Sequence, residues 1–437
     1  MNRPDVTTGG AMPLAECSYT IEGQTCLFET QEMSEYQIIA VIAAFVFLYC
    51  LIASRLESTR FSGALVYVAC GLALGPFGLQ LVDLDVDGKE IKRIAEITLA
   101  VVLFIDSAGA KLPVLIHVKR LPGRLLLVGL PLTILLGYIF GLLVYSDLPW
   151  VSLALLATML APTDAALGTA VVSNEAVPSS VRQGLNAESG FNDGICVPVL
   201  LLFLSLAGGA VEGSVTEQMV HLLLEEVGIG ALVGIPFAVI GSSTVKLSIR
   251  NGWISGSWIH IPMVALALLC FATAQRLGGS GFIAAFVGGM TFGALIKEEE
   301  KESLLEGAES ASDVLSMITW FVFGAVFIGD SLRNPDWQAV TYAVLSLTVI
   351  RMAPVFLCVS GLGMQWDTKL FVGWFGPRGL ASIVFIVMVK EANVAGADIL
   401  LEAVTWTILL SVIAHGITAN PLAKIYASRV ASRDGAI

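Results

Sequence analysis

Two proline-containing stretches interrupt long apolar segments and decide the fold. The first is LAPTD at residues 160–164 and the second is GWFGPRG at residues 373–379, so Pro162 and Pro377 stand 215 residues apart. Proline removes a backbone donor and clashes with the preceding helical turn, and the clustered glycines loosen the second stretch further. Within a membrane, an opened helix is tolerated only where it is buried or lines a wet cavity. We therefore expect both stretches to lie inside the protein, at a functional site.

The composition is that of a membrane protein. Of the 437 residues, 56% are hydrophobic and only 14% are charged, with a net charge of −12 and a mean hydropathy of +0.82. A soluble fold of this length cannot bury so much apolar side chain. High hydrophobicity excludes a disordered chain, and the acidic balance excludes a nucleic-acid-binding protein. We expect a multi-pass protein of the inner cell membrane, surrounded by the lipid bilayer.

Thirteen apolar segments have about the 20 residues that a membrane-spanning helix needs, which predicts an all-α polytopic protein. They lie near 36–54, 61–80, 94–111, 124–145, 150–172, 187–207, 221–245, 258–275, 280–297, 308–330, 339–362, 368–390 and 399–420. Of the 24 Lys and Arg residues, 15 fall in loops on the side of the C-terminus, 7 on the other side and 2 within segments. Since basic residues favour the cytoplasmic side, the N-terminus is expected outside and the C-terminus inside.

The order of these segments predicts an inverted repeat. The fourth to sixth segments correspond to the eleventh to thirteenth at an offset of about 215 residues, and the first to third correspond to the eighth to tenth. This offset contains seven segments, and an odd number reverses the orientation in the membrane. Inverted repeats whose helices are broken at matching positions, here the fifth and twelfth, are typical of secondary transporters that bind their substrate at the breaks.

The sixth segment carries the densest polar cluster, NAESGFNDG at residues 186–194. Ser189 and Asp193 stand four residues apart and share one helix face, while Glu188 and Asn192 share the adjacent face. A charge at the centre of a bilayer costs roughly 2.5–3.5 kcal/mol on insertion scales. Such residues are expected to persist only where they have a partner or a function.

The charges within the membrane segments sum to minus one. They are three acids and two arginines: Asp164, Glu188, Asp193, Arg351 and Arg378. One monovalent cation or one proton would neutralise the surplus. Competition between a cation and a proton for one site is the chemistry of exchange.

The combined motifs resemble a known family of transporters. APTD at residues 161–164, ESGFNDG at residues 188–194, the inward Arg351 and the GPRG sequence around Arg378 are similar to the monovalent cation–proton antiporters of the NhaP and eukaryotic sodium–proton exchanger branch. The resemblance covers nearly all of the chain from about residue 36. It implies exchange of Na⁺, or alternatively K⁺ or Li⁺, for H⁺, a role in pH homeostasis, no cofactor and no enzymatic activity.

The resemblance also implies which residues form the site. Asp193 is similar to the essential cation- and proton-binding carboxylate of the family, and Asp164, Thr163 and Ser189 match other residues that line the site. Na⁺ as the substrate is expected at Asp164 and Asp193. Asn192 stands where the electroneutral branch has Asn, which implies an exchange of one cation for one proton.

Three further charged residues receive supporting roles from the resemblance. Glu188 is similar to a carboxylate that pairs with a buried arginine, here Arg351, although the sequence leaves Arg378 open as its partner. Arg378 matches the arginine of the crossing twelfth helix. Asp106, in FIDSAG at residues 104–109, resembles an acidic position of the third segment and is expected to be structural.

The family architecture implies a core domain that moves like an elevator against a dimerisation domain, in a homodimer. The expected boundaries are a polar extracytoplasmic tail at 1–35, dimerisation domain at 36–111 and, with a connector helix, at 221–330, core transport domain at 124–207 and 339–420, and a short cytoplasmic tail at 421–437.

Other polar features receive no role in the site. Cys17 and Cys26 lie in the polar tail and are candidates for a disulfide if that tail is outside the cytoplasm. The KEEEKE sequence at residues 297–302 predicts a solvated cytoplasmic loop. The four histidines are scattered and lack the spacing of a zinc site.

Three other functions fit the sequence less well. An intramembrane aspartyl protease needs two facing aspartates, but the nearby arginines and the repeat have no place in its mechanism, and a serine protease would need a histidine base near Ser189. An ion channel is expected to carry a carbonyl filter such as TVGYG. Uptake of an organic solute is the third alternative. The choice among Na⁺, K⁺ and Li⁺ stays open, because cavity size and ligand field decide it.

Overall fold

The computed structural model describes residues 23–57, 62–84, 89–110, 121–164, 167–168, 171, 174, 177–208 and 215–434, and in these ranges the secondary structure is helical. The helices of the first half are α1 (Gly23–Glu57), α2 (Gly63–Leu74), α3 (Lys89–Gly109), α4 (Leu121–Val144), α5 (Trp150–Met159), α6 (Ser179–Ala207) and α7 (Val215–Arg250). The helices of the second half are α8 (Ile261–Arg276), α9 (Gly281–Leu295), α10 (Glu298–Val326), α11 (Trp337–Cys358), α12 (Trp366–Trp374), α13 (Leu380–Glu391) and α14 (Ala397–Asp434).

Many of these helices are suited to a membrane. Within the described residues, eight are long and apolar enough to cross a bilayer, and α2, α5 and α9 are shorter apolar helices. Each of the thirteen predicted segments contains a helix, and the twelfth contains two. The chain is therefore an α-helical polytopic membrane protein. The number of helices that cross the bilayer and their orientation stay predictions.

Both proline-containing stretches interrupt the helices in which they occur. Helix α5 ends at Met159, and residues 162–164 are not helical. Helix α12 ends at Trp374 and α13 begins at Leu380, which leaves residues 375–379 between them in non-helical conformation. The interruptions leave backbone donors and acceptors that need partners from elsewhere in the fold.

A matched irregularity occurs in the first helix of each half of the core. Helix α4 contains a π-helical turn at Leu125–Gly129, and α11 contains one at Ser346–Ile350. Arg351 follows the second turn directly. Single π-turns are rare and are frequent at functional sites. Their presence at corresponding places agrees with the predicted repeat.

The helices pack as two groups. Helices α4–α6 pack with α11–α14, and we call these the core group; α2, α3 and α7–α10, with α1 against α2 and α10, form the scaffold group. Two polar contacts join the groups. Lys92 of α3 forms an ion pair with Glu391 of α13 at 2.5 Å, and Ser331, after α10, donates to Glu402 of α14 at 2.7 Å.

The predicted loop at residues 297–302 is wrong. Helix α10 begins at Glu298, and Lys301 is buried with its Nζ donating to the carbonyl of Ala110 at 3.4 Å. Leu304, one turn further along, is also fully buried. The acidic residues masked an amphipathic first turn whose inner face packs on the end of α3.

The ends of the chain are also more helical than expected. Helix α1 begins at Gly23 instead of residue 36, and α14 continues to Asp434 instead of ending near residue 420. The expected pairing of Cys17 with Cys26 lies outside the described residues.

Candidate functional site

The two interruptions contact each other and satisfy each other's backbone groups. The amide of Asp164 donates to the carbonyl of Pro377 at 2.8 Å. In return, Nη1 of Arg378 donates to the carbonyls of Ala161 and Pro162, each at 3.1 Å. Each opened helix thus supplies partners that the other opened helix lacks. The site is built where these two stretches meet.

Asp164 is held by backbone amides. Its Oδ2 accepts a hydrogen bond from the amide of Leu380 at 2.9 Å, and its Oδ1 accepts one from the amide of Leu167 at 3.3 Å. Leu380 is the first residue of α13, where the helix dipole favours a negative charge. Gly379 makes this approach possible, because a Cβ there would overlap the Asp164 carboxylate. The arrangement stabilises the charged form of Asp164.

Three polar side chains join the fifth interruption to α6. The Oγ1 atom of Thr163 lies 3.0 Å from the Oγ of Ser189 and accepts a hydrogen bond from Nδ2 of Asn192 at 2.6 Å. All three residues are buried. The amide nitrogen of Asn192 is therefore used for structure, and its Oδ1 is left for another role.

Asp193 differs from Asp164 in its surroundings. It is 9% exposed, and its Oδ1 has no hydrogen-bond donor among the residues that the structure describes. The same holds there for Oδ1 of the neighbouring Asn192. The charges of Asp164 and Asp106 both act on Asp193. A buried carboxylate without a donor is costly unless a cation or a proton compensates it.

Glu188 pairs with Arg351. The guanidinium contacts both carboxylate oxygens, at 2.5 and 2.8 Å, and each side chain is 4% exposed. Arg351 also lies directly against Gly376, where a Cβ would overlap its guanidinium. The question that the sequence left open is thus answered in favour of Arg351. The pair is neutral as a unit and removes Glu188 from the charge available for an ion.

Arg378 is fully buried and serves the backbone. Besides the carbonyls of Ala161 and Pro162, its own amide donates to Oγ of Ser411 in α14 at 2.7 Å. Its Nε and Nη2 have no hydrogen-bond acceptor within the described part of the chain. Its positive charge lies at the junction of the two interruptions, beside the carboxylates.

Asp106 has a more prominent position than the sequence suggested. It is exposed, while its neighbours Ile105 and Ser107 on α3 are buried. Its carboxylate is under the influence of Asp164 and of two exposed acids of α10, Glu309 and Asp313. Asp106 therefore lies between solvent-exposed acids and the buried site. An isolated acid in an otherwise apolar segment was the available signal, but helical spacing alone did not show which way it faces.

The fold and this site define a class of protein: an α-helical membrane protein with a buried, charged site at the junction of two interrupted helices, as expected of a secondary transporter. Residues 41–425 match the family model of the transmembrane sodium/hydrogen exchanger. The chain belongs to the sodium/hydrogen exchanger family, whose members are transporters and not enzymes. The protease alternatives are thereby set aside.

Individual relatives agree with this assignment. A probable Na⁺/H⁺ antiporter of Schizosaccharomyces pombe is 25% identical over 370 residues, which are 79% of this chain and 47% of that protein. The K⁺/H⁺ antiporter NhaP2 of Shewanella sp. is 24% identical over 291 residues, 64% of this chain and 48% of that protein. The chain thus spans about half the length of these curated relatives.

A solved structure supports the fold. The sodium–proton antiporter MjNhaP1 of Methanocaldococcus jannaschii superposes with a TM-score of 0.73 at 21% identity, covering 88% of this chain and 99% of that chain. At this level of identity the likeness establishes the architecture. The chemistry has to be argued from the residues of the site.

Proposed function

We propose that the protein is a secondary antiporter that exchanges a monovalent cation for a proton, with Asp193 as the residue that binds both. The observation that supports this most strongly is the environment of its carboxylate, which is buried and has an oxygen without a donor in the described chain. Asp164, by contrast, is stabilised by two backbone amides. The two carboxylates are therefore suited to different roles.

Competition at Asp193 provides the coupling. A proton on the carboxylate removes the charge that would attract a cation, and a bound cation disfavours protonation. Oδ1 of Asp193 and Oδ1 of Asn192 are adjacent oxygen acceptors, the type of ligand that hard monovalent cations prefer. Asp164 adds a fixed negative charge nearby. The site can hold one or the other ion, which is the requirement for exchange.

Na⁺ is the proposed substrate, and K⁺ is the second candidate. The relatives of S. pombe and M. jannaschii are named for sodium and the Shewanella relative for potassium. The same set of oxygens serves either ion, and selectivity depends on the size and rigidity of the cavity.

A one-to-one exchange follows from the number of carboxylates that are able to titrate with the ion. Glu188 is neutralised by Arg351, and Asp164 is held charged by the amides of Leu167 and Leu380. Asn192, next to Asp193, carries no titratable group. One proton on Asp193 then replaces one monovalent cation, and no net charge moves.

The packing supports an elevator-type movement. Thr163, Asp164 and Asp193 all belong to the core group, whereas Asp106 belongs to α3 of the scaffold group. A displacement of the core group would carry the site past the scaffold as one unit. We propose further that the scaffold group forms the interface of a homodimer in the inner cell membrane.

The function is tested with purified protein in liposomes that contain a pH-sensitive dye. After a proton gradient is imposed, NaCl, KCl, LiCl and choline chloride are added in separate experiments and the dequenching of the dye is titrated. We expect alkalinisation with at least one of the alkali cations and none with choline. An absence of cation-dependent proton flux with all three alkali salts would refute the proposal.

A further inference from the structure

We propose that His415 is a positioning residue of the ion site: it fixes the backbone of the twelfth interruption across residues 374–378 and, through Arg378, sets the position of Asp164. The inference rests on the proposed function of that site. His415 lies on α14, is 1% exposed and touches neither of the two aspartates in the contacts described above.

One ring nitrogen of His415 holds the start of the interruption. Nε2 lies 2.9 Å from the carbonyl oxygen of Trp374, the last residue of α12. The same carbonyl accepts the amide of Gly376 at 2.9 Å, and the φ and ψ angles of Phe375, −80° and 71°, are those of an inverse γ-turn. His415 thus supplies the second hydrogen bond to the carbonyl that closes this turn.

The other ring nitrogen leads to the end of the interruption. Nδ1 lies 3.2 Å from Oγ of Ser411, one turn earlier on α14, and this Oγ accepts the amide of Arg378 at 2.7 Å. Because the Trp374 carbonyl can only accept, Nε2 carries the proton and Nδ1 is the acceptor for the Ser411 hydroxyl. The donors therefore run in one direction, from the amide of Arg378 through Ser411 and His415 to Trp374.

This chain of hydrogen bonds brackets the non-helical residues between α12 and α13. Arg378, at one end, donates from its guanidinium to the carbonyls of Ala161 and Pro162. Two residues later, the amide of Leu380 donates to Asp164. A shift of the bracket would move both donors relative to the fifth interruption, and the position of Asp164 beside Asp193 would change.

Packing of α14 on α12 does not require this histidine. Nε1 of Trp374 also donates to Oγ1 of Thr418 at 3.0 Å, which joins the same two helices through a side chain outside the interruption. An apolar residue at position 415 would fill the space without burying two polar nitrogens. The specific contribution of His415 is a hydrogen bond to the backbone at the interruption, and Thr418 provides a matched control.

The test uses variants that separate the two ring nitrogens. In His415→Gln, the terminal amide can reach the Trp374 carbonyl; in His415→Asn, the shorter amide stays beside Ser411; and His415→Phe keeps only the packing. Ser411→Ala removes the acceptor of the Arg378 amide with a minimal change in volume. Thr418→Val removes the hydrogen bond outside the interruption.

We expect His415→Asn, His415→Phe and Ser411→Ala to raise the apparent KM for the cation by at least about fivefold with Vmax within about twofold, since a positioning defect weakens binding of the ion. His415→Gln should stay within about twofold of wild type in KM, and Thr418→Val should have no effect. An unchanged KM in Ser411→Ala, or an equal rise in Thr418→Val, would overturn the proposal.

A second measurement does not depend on transport. Amide hydrogen exchange of the peptide that contains residues 375–380 should be faster in Ser411→Ala and His415→Asn than in wild type, and unchanged in Thr418→Val. Failure of the wild-type protein to exchange any cation would refute the proposed function, whereas unaltered amide exchange in both variants would refute the role of His415. The two failures are thus distinguishable.

Discussion

Oδ2 of Asp164 accepts a hydrogen bond at 2.9 Å from the amide of Leu380, so a carboxylate of the first half of the chain lies at the N-terminus of a helix of the second half. This contact fixes the charge of one aspartate and leaves the exchange of ligands to the other. Asp193, 29 residues further along the chain, has no such donor for its Oδ1 among the described residues. The difference between the two carboxylates leads to predictions that separate their roles.

Asp193→Asn is expected to abolish exchange, because the amide keeps the shape of the side chain but provides neither the negative charge nor a titratable proton. Dye dequenching in proteoliposomes measures the rate. The variant should insert and unfold at a temperature close to wild type, since the charge it removes is buried without a donor for Oδ1 in the described chain. Residual exchange above about a tenth of the wild-type rate would refute the assignment.

Gly379→Ala is expected to raise the apparent KM for the cation severalfold, because the new methyl group would occupy the space of the Asp164 carboxylate. Asp164→Asn should act in the same direction through the loss of charge. Gly228→Ala in α7 is the control, since nothing lies within 4 Å of the position of its Cβ. Equal KM values for Gly379→Ala and the control would show that Asp164 does not depend on this approach.

Removing one partner of the Glu188–Arg351 pair should lower stability by about 3–5 kcal/mol, because the other charge stays buried without compensation. Glu188→Gln and Arg351→Met, alone and together, form a double-mutant cycle that thermal unfolding in detergent can follow. The double variant should lose less than the sum of the single losses. Additive losses would contradict the coupling that the two short contacts imply.

Asp106→Asn is expected to weaken cation binding at low ionic strength without abolishing exchange. Its carboxylate is exposed and acts on Asp193 only through space, so salt should screen its contribution. Apparent KM values measured at two ionic strengths, kept constant with choline chloride, provide the test. A loss of exchange as complete as in Asp193→Asn would instead make Asp106 an obligatory ligand.

Transport is expected to be independent of the membrane potential, since one proton on Asp193 replaces one monovalent cation. Potassium–valinomycin potentials of either sign are imposed on liposomes while Na⁺-driven proton flux is recorded. A control must first establish that K⁺ is not itself transported. A severalfold change of the flux with the sign of the potential would show that a second titratable group takes part.

The sequence was sufficient to predict the interruptions and most of the site. Pro162 and Pro377 have a backbone effect that does not depend on the tertiary fold, so both breaks could be placed from residue type alone. The cluster at residues 186–194 was likewise informative, because the spacing of Ser189, Asn192 and Asp193 fixes their faces on a helix.

Contacts between distant helices could not be predicted in the same way. The choice of Arg351 over Arg378 as the partner of Glu188 depends on how α6 and α11 pack, which no local pattern encodes. His415 was passed over because its spacing was compared only with that of metal ligands. The useful signal was the i,i+4 pair of Ser411 and His415 on one face of an apolar helix.

The interlocking of the two interruptions also limits how the gene can be recombined. Asp164 fits only opposite Gly379, and the carbonyls of Ala161 and Pro162 are matched to the guanidinium of Arg378, so each half of the chain carries the complement of the other. A chimera that joins the first half of one relative to the second half of another would inherit both complements only if both parents share this geometry. Viable crossovers are therefore expected to keep residues 160–164 and 376–380 from the same parent, even though more than 200 residues separate them.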